Sequence, residues 1–127
     1  MALTDHADFQ GEVALCTREG SPVYGTEACR AYRGETPTKG IASVNGMGAR
    51  MSKLSTALDA EAMHTKRSEA LCGADGELCR AAMKTVWEEQ GAAAERYYDR
   101  SSQCRFTTFH AYEYTATPGL AKVHHNV

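Results

Sequence analysis

The sequence predicts an α/β fold, because it combines one strand pattern, one long helical pattern and a short strand-like segment at each end. Residues 105–115 are rich in β-branched and aromatic side chains and lack glycine and proline, which favours a buried β-strand. Residues 76–100 predict a helix, since apolar residues recur there at helical spacing. The 127 residues suit a single domain that can bury one core.

The other elements follow from weaker patterns. Residues 50–70 predict a second helix, because Met51, Leu54, Leu58 and Ala62 follow the spacing of one helix face. Residues 17–45 are interrupted by glycine and proline, which indicates a loop. Residues 1–6 are typical of the end of a strand. Residues 123–127, after a turn at 116–119, are typical of the start of another strand.

Glu113 is an unusual residue in the predicted strand. Side chains alternate along a strand, so Glu113 shares a face with Phe109 and Ala111 near the C-terminal end. A carboxylate on an apolar face is costly unless it is paired or bound to a metal. The sequence therefore predicts a site at this end of the strand.

Cysteine usage favours disulfide bonds in two places. The chain has five cysteines. Cys72 and Cys79 flank a turn of glycine and aspartate, and Cys16 and Cys29 flank a second turn-rich loop. Neither spacing matches the paired cysteines of a structural zinc site, so the alternatives are disulfides or buried free thiols. Cys104 is left without a partner. Such cysteine usage indicates a periplasmic or secreted parent protein.

Composition excludes several classes of partner. A net charge of -2 and a pI near 6.2 give no electrostatic footprint for nucleic acid. No run approaches the roughly 18 apolar residues of a membrane span. The first residues also lack the basic start and apolar stretch of a signal peptide.

Candidate metal ligands lie at three strand ends. Asp5 and His6 follow the N-terminal strand segment, Glu113 lies near the end of the predicted central strand, and His124 and His125 lie in the last segment. Imidazole and carboxylate groups that converge suit zinc, manganese or iron. The alternative is that these side chains are ordinary core and surface residues.

Several motifs in one order resemble a known family. They are TDHADF at 4–9, LCGADG at 71–76, YDRS at 98–101, CRFTTF at 104–109, YEYT at 112–115 and HHNV at 124–127. The chain resembles the domain-of-unknown-function family 3604, a largely bacterial group related to the PHP (polymerase and histidinol phosphatase) metallohydrolases. The resemblance implies part of a distorted (β/α)7 barrel, with residues 13–100 as a helix- and loop-rich insertion. It also implies a multinuclear metal centre that hydrolyses phosphoesters.

The resemblance assigns roles to individual residues. It implies that His6 and His124 are metal ligands, that Glu113 bridges metals and that His125 is an alternative ligand to His124. Asp5 is expected to take part in catalysis by orienting an imidazole. The implied substrate is a phosphoester or another small molecule.

Ligand motifs of PHP enzymes are missing from the sequence. These enzymes carry a His-x-His pair upstream of the first motif and an Asp-x-His pair downstream of the last. We therefore expect an internal fragment of a longer enzyme, a single incomplete domain that is inactive in isolation. Unpaired sheet edges are expected to promote self-association. The rival interpretations are a non-catalytic binding or regulatory protein and a truncated copy without function.

Overall fold

The protein contains both helices and strands, in agreement with the predicted α/β class. The computed structural model describes residues 1–2, 4, 6–7, 9–35, 55–59, 64–116 and 123–127. In chain order its elements are α1 (Gln10–Thr17), α2 (Glu27–Tyr32), β1 (Ser55–Asp59), β2 (His64–Arg67), α3 (Glu69–Cys72), α4 (Glu77–Tyr97), β3 (Glu113–Ala116) and β4 (Val123–Asn126). None of these helices combines the length and hydrophobicity that a membrane crossing requires.

The long helix α4 confirms the helical pattern of residues 76–100. It begins at Glu77, after Gly76 adopts a left-handed conformation with φ of 70°. It ends at Tyr97, three residues before the predicted end. The chain turns there because the carboxylate of Asp99 accepts hydrogen bonds from the backbone N–H groups of Ser101 and Arg105, each at 2.9 Å. These bonds hold the backbone in a turn that cannot continue the helix.

The helix predicted over residues 50–70 is wrong at residues 55–59 and 64–67, which are strands, and only Glu69 and Ala70 at its end are helical. β1 and β2 form an antiparallel pair in which Leu58 faces Thr65 and Asp59 faces His64. The helical interpretation depended only on the spacing of four apolar residues. The same range contains Ser55, Thr56 and Thr65, whose side chains disfavour a helix interior by backbone competition or by branching at Cβ. Local strand pairing therefore outweighs a weak helical pattern.

Part of the predicted loop 17–45 is also helical. α2 begins after Thr26, whose hydroxyl accepts a hydrogen bond from the backbone N–H of Cys29 at 3.3 Å. A threonine at this position satisfies one of the backbone donors that the first turn of a helix leaves free. The helix positions Cys29 to face α1.

The hydrophobic core lies among the helices and is built around the cysteines. We call it the disulfide core, and its buried members are Leu15, Cys16, Val23, Cys29, Leu71, Cys72 and Cys79. The sulfur atoms of Cys16 and Cys29 are 2.00 Å apart, and those of Cys72 and Cys79 are 2.07 Å apart. Both predicted cysteine pairs thus lie at disulfide distance. Cys104 is free and exposed.

α1 and α4 approach each other closely in this core. A Cβ atom added to Gly11 would lie 2.2 Å from the backbone oxygen of Cys79, far inside van der Waals contact. Only glycine therefore permits this separation of the two backbones. Glu12 follows Gly11 and becomes fully buried with it.

The prediction of a buried central strand over residues 105–115 is wrong. Regular pairing begins only at Glu113, and Phe109 forms an isolated bridge with Ala2. Phe106 and Phe109 are 46% and 64% exposed. An aromatic strand face is buried only when another layer covers it. Helix α4 contacts only part of this segment, where Trp87 stacks on His110 and Thr108 donates to the carbonyl oxygen of Ala94. Within the described residues, Phe106 and Phe109 stay largely uncovered.

Three segments of the chain lie side by side outside the disulfide core. β4 pairs antiparallel with β3. In the N-terminal segment, Ala2 forms a parallel bridge with Phe109, and His6 forms one with Glu113 of β3. We call the arrangement of Ala2, His6, Ala7, β3 and β4 the site sheet. Within the residues that the structure describes, these strands form no barrel, so the PHP-like barrel stays a prediction.

Candidate metal centre

Strand pairing in the site sheet brings side chains from three segments of the chain close together. His6 forms a parallel bridge with Glu113, and the backbone N–H of Ala7 donates to the carbonyl oxygen of Glu113 at 3.0 Å. On the other side of β3, Thr115 pairs with His124. Directly opposed residues in a sheet project to the same face, and so do residues two apart on one strand. His6, Glu113, Thr115 and His124 therefore share one face.

The carboxylate of Glu113 lies between the two imidazole rings. Its Oε2 atom is 2.9 Å from Nδ1 of His6, and its Oε1 atom is 2.5 Å from Nδ1 of His124. The rings meet edge to face, with centroids 5.4 Å apart. Each carboxylate oxygen thus faces its own histidine. The ligand atoms of the three residues all lie within 4.8 Å of one another.

Burial differs among the three side chains. Glu113 is 16% exposed, whereas His6 is 62% and His124 is 41% exposed. The carboxylate lies at the base of the cluster, and the imidazoles form its more open edges. A small ion or molecule from solvent could therefore reach the ligand atoms without a large rearrangement.

Thr115 is a fourth polar group at this site, and sequence reasoning missed it. Its Oγ1 atom lies 3.1 Å from Nδ1 of His6 and 3.3 Å from Nδ1 of His124. The signal that could have found it is its position two residues after Glu113, which places both side chains on one strand face.

These donors fit a divalent cation in type, and all but one of the separations quoted above fit as well. Two imidazole nitrogens and a carboxylate make a ligand set that is common for zinc and also suits iron and manganese. Atoms that share one ion at bonds of about 2.1 Å are about 3.0 Å apart at right angles and about 3.4 Å apart in a tetrahedron. The contacts of Glu113 with His6, and of Thr115 with both histidines, span 2.9 to 3.3 Å. The 2.5 Å contact of Glu113 with His124 is closer than either separation and is that of a hydrogen bond, so these two atoms would have to move apart to share an ion.

A family model matches the chain over residues 1–127 and is described as protein of unknown function (DUF3604). The chain belongs to this family. No curated protein and no solved structure matches the chain. The family description names no activity.

The family member thus brings together three of the predicted ligands. His6, Glu113 and His124 converge, as the sequence predicts, although their role as metal ligands stays a prediction. His125 pairs with Tyr114, one position along from the Thr115 pair, and so projects to the opposite face. His124 is therefore the member of the His-His pair that faces the cluster. Asp5 lies outside the described residues.

The direction of the last strand corrects the sequence-based expectation. The barrel interpretation expects the N-terminal segment and the last strand to lie parallel to the central strand, and β4 is antiparallel. Only six residues separate Ala116 from Val123. Parallel neighbours need a crossover of about a dozen residues or more, whereas a hairpin needs only a few. The length of the connection therefore dictates the antiparallel pairing.

A second group of potential ligands lies in the disulfide core. Glu12 is fully buried, and its carboxylate oxygens are 3.1 and 3.3 Å from Nη1 of Arg67. Its Oε1 atom is also 3.5 Å from Sγ of Cys72. Burial raises the pKa of Glu12, against the lowering effects of a backbone hydrogen bond and of Arg67. Because Cys72 and Cys79 are disulfide-bonded, they offer no thiolate, and this group is structural.

Proposed function

We propose that this family member contributes a divalent-metal site to a metal-dependent hydrolase that cleaves phosphoesters. The observation that supports the proposal is the convergence of His6, Glu113 and His124 from three different segments. His6 is 107 positions from Glu113 in the sequence, so neighbourhood along the chain does not explain the contact. The PHP resemblance of the same motifs supports the choice of phosphoesters.

Each residue has a defined task in this proposal. A bound divalent cation would supply a Lewis acid and a water of lowered pKa for attack at phosphorus. His6 and His124 would each present Nδ1 as a ligand atom. Glu113 would supply a carboxylate ligand between them, since its two oxygens face the two histidines. Three protein ligands match the number that a mononuclear catalytic zinc site takes from its protein.

Two disulfides bear on where this chemistry would take place. Disulfides persist in oxidising compartments and are rare in the cytosol. We therefore propose a periplasmic or extracellular setting for the protein. A non-catalytic binding protein is the second candidate, favoured by the observation that all members of the disulfide core lie outside the site sheet.

Metal binding by neighbouring histidine variants tests the proposal. His124→Ala and His125→Ala remove the same group from adjacent positions of β4, yet only His124 faces Glu113. In calorimetric titrations with Zn²⁺ or Mn²⁺, we expect His124→Ala and Glu113→Gln to weaken binding at least about tenfold, or about 1.4 kcal/mol. His125→Ala should bind as the unsubstituted protein does.

The controls separate lost ligands from lost structure. His124 and Glu113 lie outside the disulfide core, so their variants should unfold within about 0.5 kcal/mol of the unsubstituted protein. Metal-stimulated hydrolysis of an aryl phosphate that Glu113→Ala abolishes would support the phosphoesterase chemistry directly. Equal losses of metal affinity in His124→Ala and His125→Ala, or no metal binding at all, would favour the binding protein.

A further inference from the structure

Thr115 lies where a fourth ligand of the proposed metal centre would be. Its hydroxyl oxygen approaches both ligand nitrogens, at 3.1 Å from His6 and 3.3 Å from His124. The carboxylate of Glu113 approaches the same two nitrogens from the preceding position on that strand face. The four side chains thus direct one hydroxyl, one carboxylate and two ring nitrogens at a common region.

The backbone fixes the position of this hydroxyl. Thr115 is held in β3 and is paired directly with His124 across the hairpin. Threonine is branched at Cβ, so its χ1 angle has few accessible values and Oγ1 keeps its direction. A longer polar side chain would have to lose more rotamer freedom to hold an oxygen at the same place.

The lone pairs of the cluster are compatible with a role as ligand. A threonine hydroxyl donates one hydrogen bond and accepts others, so in the metal-free protein it can bond to both ring nitrogens when one of them is protonated. When both nitrogens are unprotonated, the hydroxyl oxygen, the carboxylate and the two nitrogens can each present a lone pair to one cation.

We propose that Thr115 Oγ1 is a fourth protein ligand of the site formed by His6, Glu113 and His124, and that it favours Mn²⁺ over Zn²⁺. Hydroxyl oxygens of serine and threonine bind Mg²⁺ in nucleotide-binding enzymes, so the group is a competent ligand for hard cations. Oxygen ligands suit manganese and magnesium, whereas zinc is satisfied by four ligands rich in nitrogen and sulfur. This proposal rests on the metal centre proposed above. Its test must therefore distinguish a metal centre without Thr115 as a ligand from the absence of any metal centre.

Two substitutions at Thr115 make the test. Thr115→Val keeps the branched shape and removes the oxygen, while Thr115→Ser keeps the oxygen. Titration with Mn²⁺ should show about tenfold weaker binding for Thr115→Val and near-normal binding for Thr115→Ser. Zn²⁺ affinity should change less than about threefold in either variant. The visible absorption spectrum of bound Co²⁺, which reports the number and type of ligands, should change in Thr115→Val only.

Two control variants keep the outcomes distinct. Thr85→Val makes the same change on α4, which carries no residue of the site, and should leave Mn²⁺ binding unchanged. If Glu113→Gln abolishes binding while Thr115→Val binds Mn²⁺ like the unsubstituted protein, Thr115 is not a ligand, although the metal centre stands. Equal losses of Mn²⁺ and Zn²⁺ affinity with a lowered melting temperature would show a packing role and overturn the inference. Absence of any Glu113-dependent binding would overturn the metal centre as well.

Discussion

The disulfide core and the site sheet are stabilised in different ways. In the core, Cys16, Cys29 and Cys79 are 0% exposed, and two cross-links fix the helices to one another. In the site sheet, the side chains of His6 and His124 are 62% and 41% exposed, and short strands hold them through backbone pairing. The core shows how a small chain gains stability with little apolar volume. The sheet shows how the same chain can keep polar groups accessible.

Loss of a disulfide should have the largest effect on stability. Cys16→Ala combined with Cys29→Ala opens a loop of 13 positions, and the chain-entropy relation gives a loss of about 3 kcal/mol in the free energy of unfolding. Cys72→Ala combined with Cys79→Ala opens a loop of 7 positions and should cost about 2.5 kcal/mol. Denaturant unfolding of the oxidised proteins measures both.

The free cysteine provides the matched control for these pairs. Cys104 is exposed and unpaired, so Cys104→Ser should change the free energy of unfolding by less than about 0.5 kcal/mol. Glu113→Gln in the site sheet should behave in the same way. A loss in Glu113→Gln as large as that from removing a disulfide would mean that the site sheet stabilises the fold as strongly as the core does.

Crowding at the crossing of α1 and α4 should have the next largest effect. Gly11→Ala places a methyl group 2.2 Å from the backbone oxygen of Cys79, and only a shift of one helix can relieve the clash. We expect a loss of about 2 kcal/mol in the free energy of unfolding. Gly25→Ala is the control, because nothing lies within 4 Å of its added methyl group. Equal effects of the two substitutions would contradict the close approach of the helices.

The buried carboxylate should make core stability depend on pH. Burial raises the pKa of Glu12, so the folded state holds its proton more tightly than the unfolded chain. Its contribution to stability is therefore full below its ordinary pKa of about 4.5 and is lost as pH rises through the folded-state value. Glu12→Gln cannot ionise, so its stability relative to the unsubstituted protein should rise with pH. Denaturant unfolding at several values from pH 4 to 8 measures the trend.

A substitution at Arg67 tests the same buried carboxylate by removing its cationic partner. Arg67→Met removes the guanidinium that lies 3.1 Å from Glu12 and leaves the ionised carboxylate without its cationic partner. The pH-dependent loss of stability should then become steeper than in the unsubstituted protein. If the stability of Glu12→Gln relative to the unsubstituted protein instead fell as pH rises, the ion pair with Arg67 would stabilise the ionised Glu12 by more than burial destabilises it.

Local sequence patterns predicted part of the fold and failed where distant contacts decide. The stripe of residues 76–100 predicted α4, because a long periodic pattern needs little tertiary support. The spacing around Leu58 suggested a helix where β1 and β2 pair instead. The aromatic strand pattern around Phe109 suggested burial, yet burial depends on a covering layer that local composition does not reveal.

In the candidate site, too, some residues could be predicted from the sequence and one could be found only from the structure. Glu113 was predicted as a site residue because a carboxylate on an apolar strand face is costly unless it is paired or bound to a metal. His6 and His124 were predicted from the family motifs. Thr115 escaped notice because an isolated threonine in a strand is ordinary in sequence. Its relevance appears only when two ring nitrogens lie within 3.3 Å of its hydroxyl.

By itself, the sequence determined the helix α4 and the types of residue able to bind a metal, and it favoured the two cysteine pairs over buried free thiols through their turn-rich spacers. These properties depend on local periodicity, short loops and the chemistry of single side chains. Only the tertiary structure decided that the core surrounds the disulfides, that β4 runs antiparallel to β3 and that His124 faces Glu113 while His125 does not. Those outcomes depend on strand register and on contacts between distant segments, because a shift of one residue in a strand reverses which side chains meet.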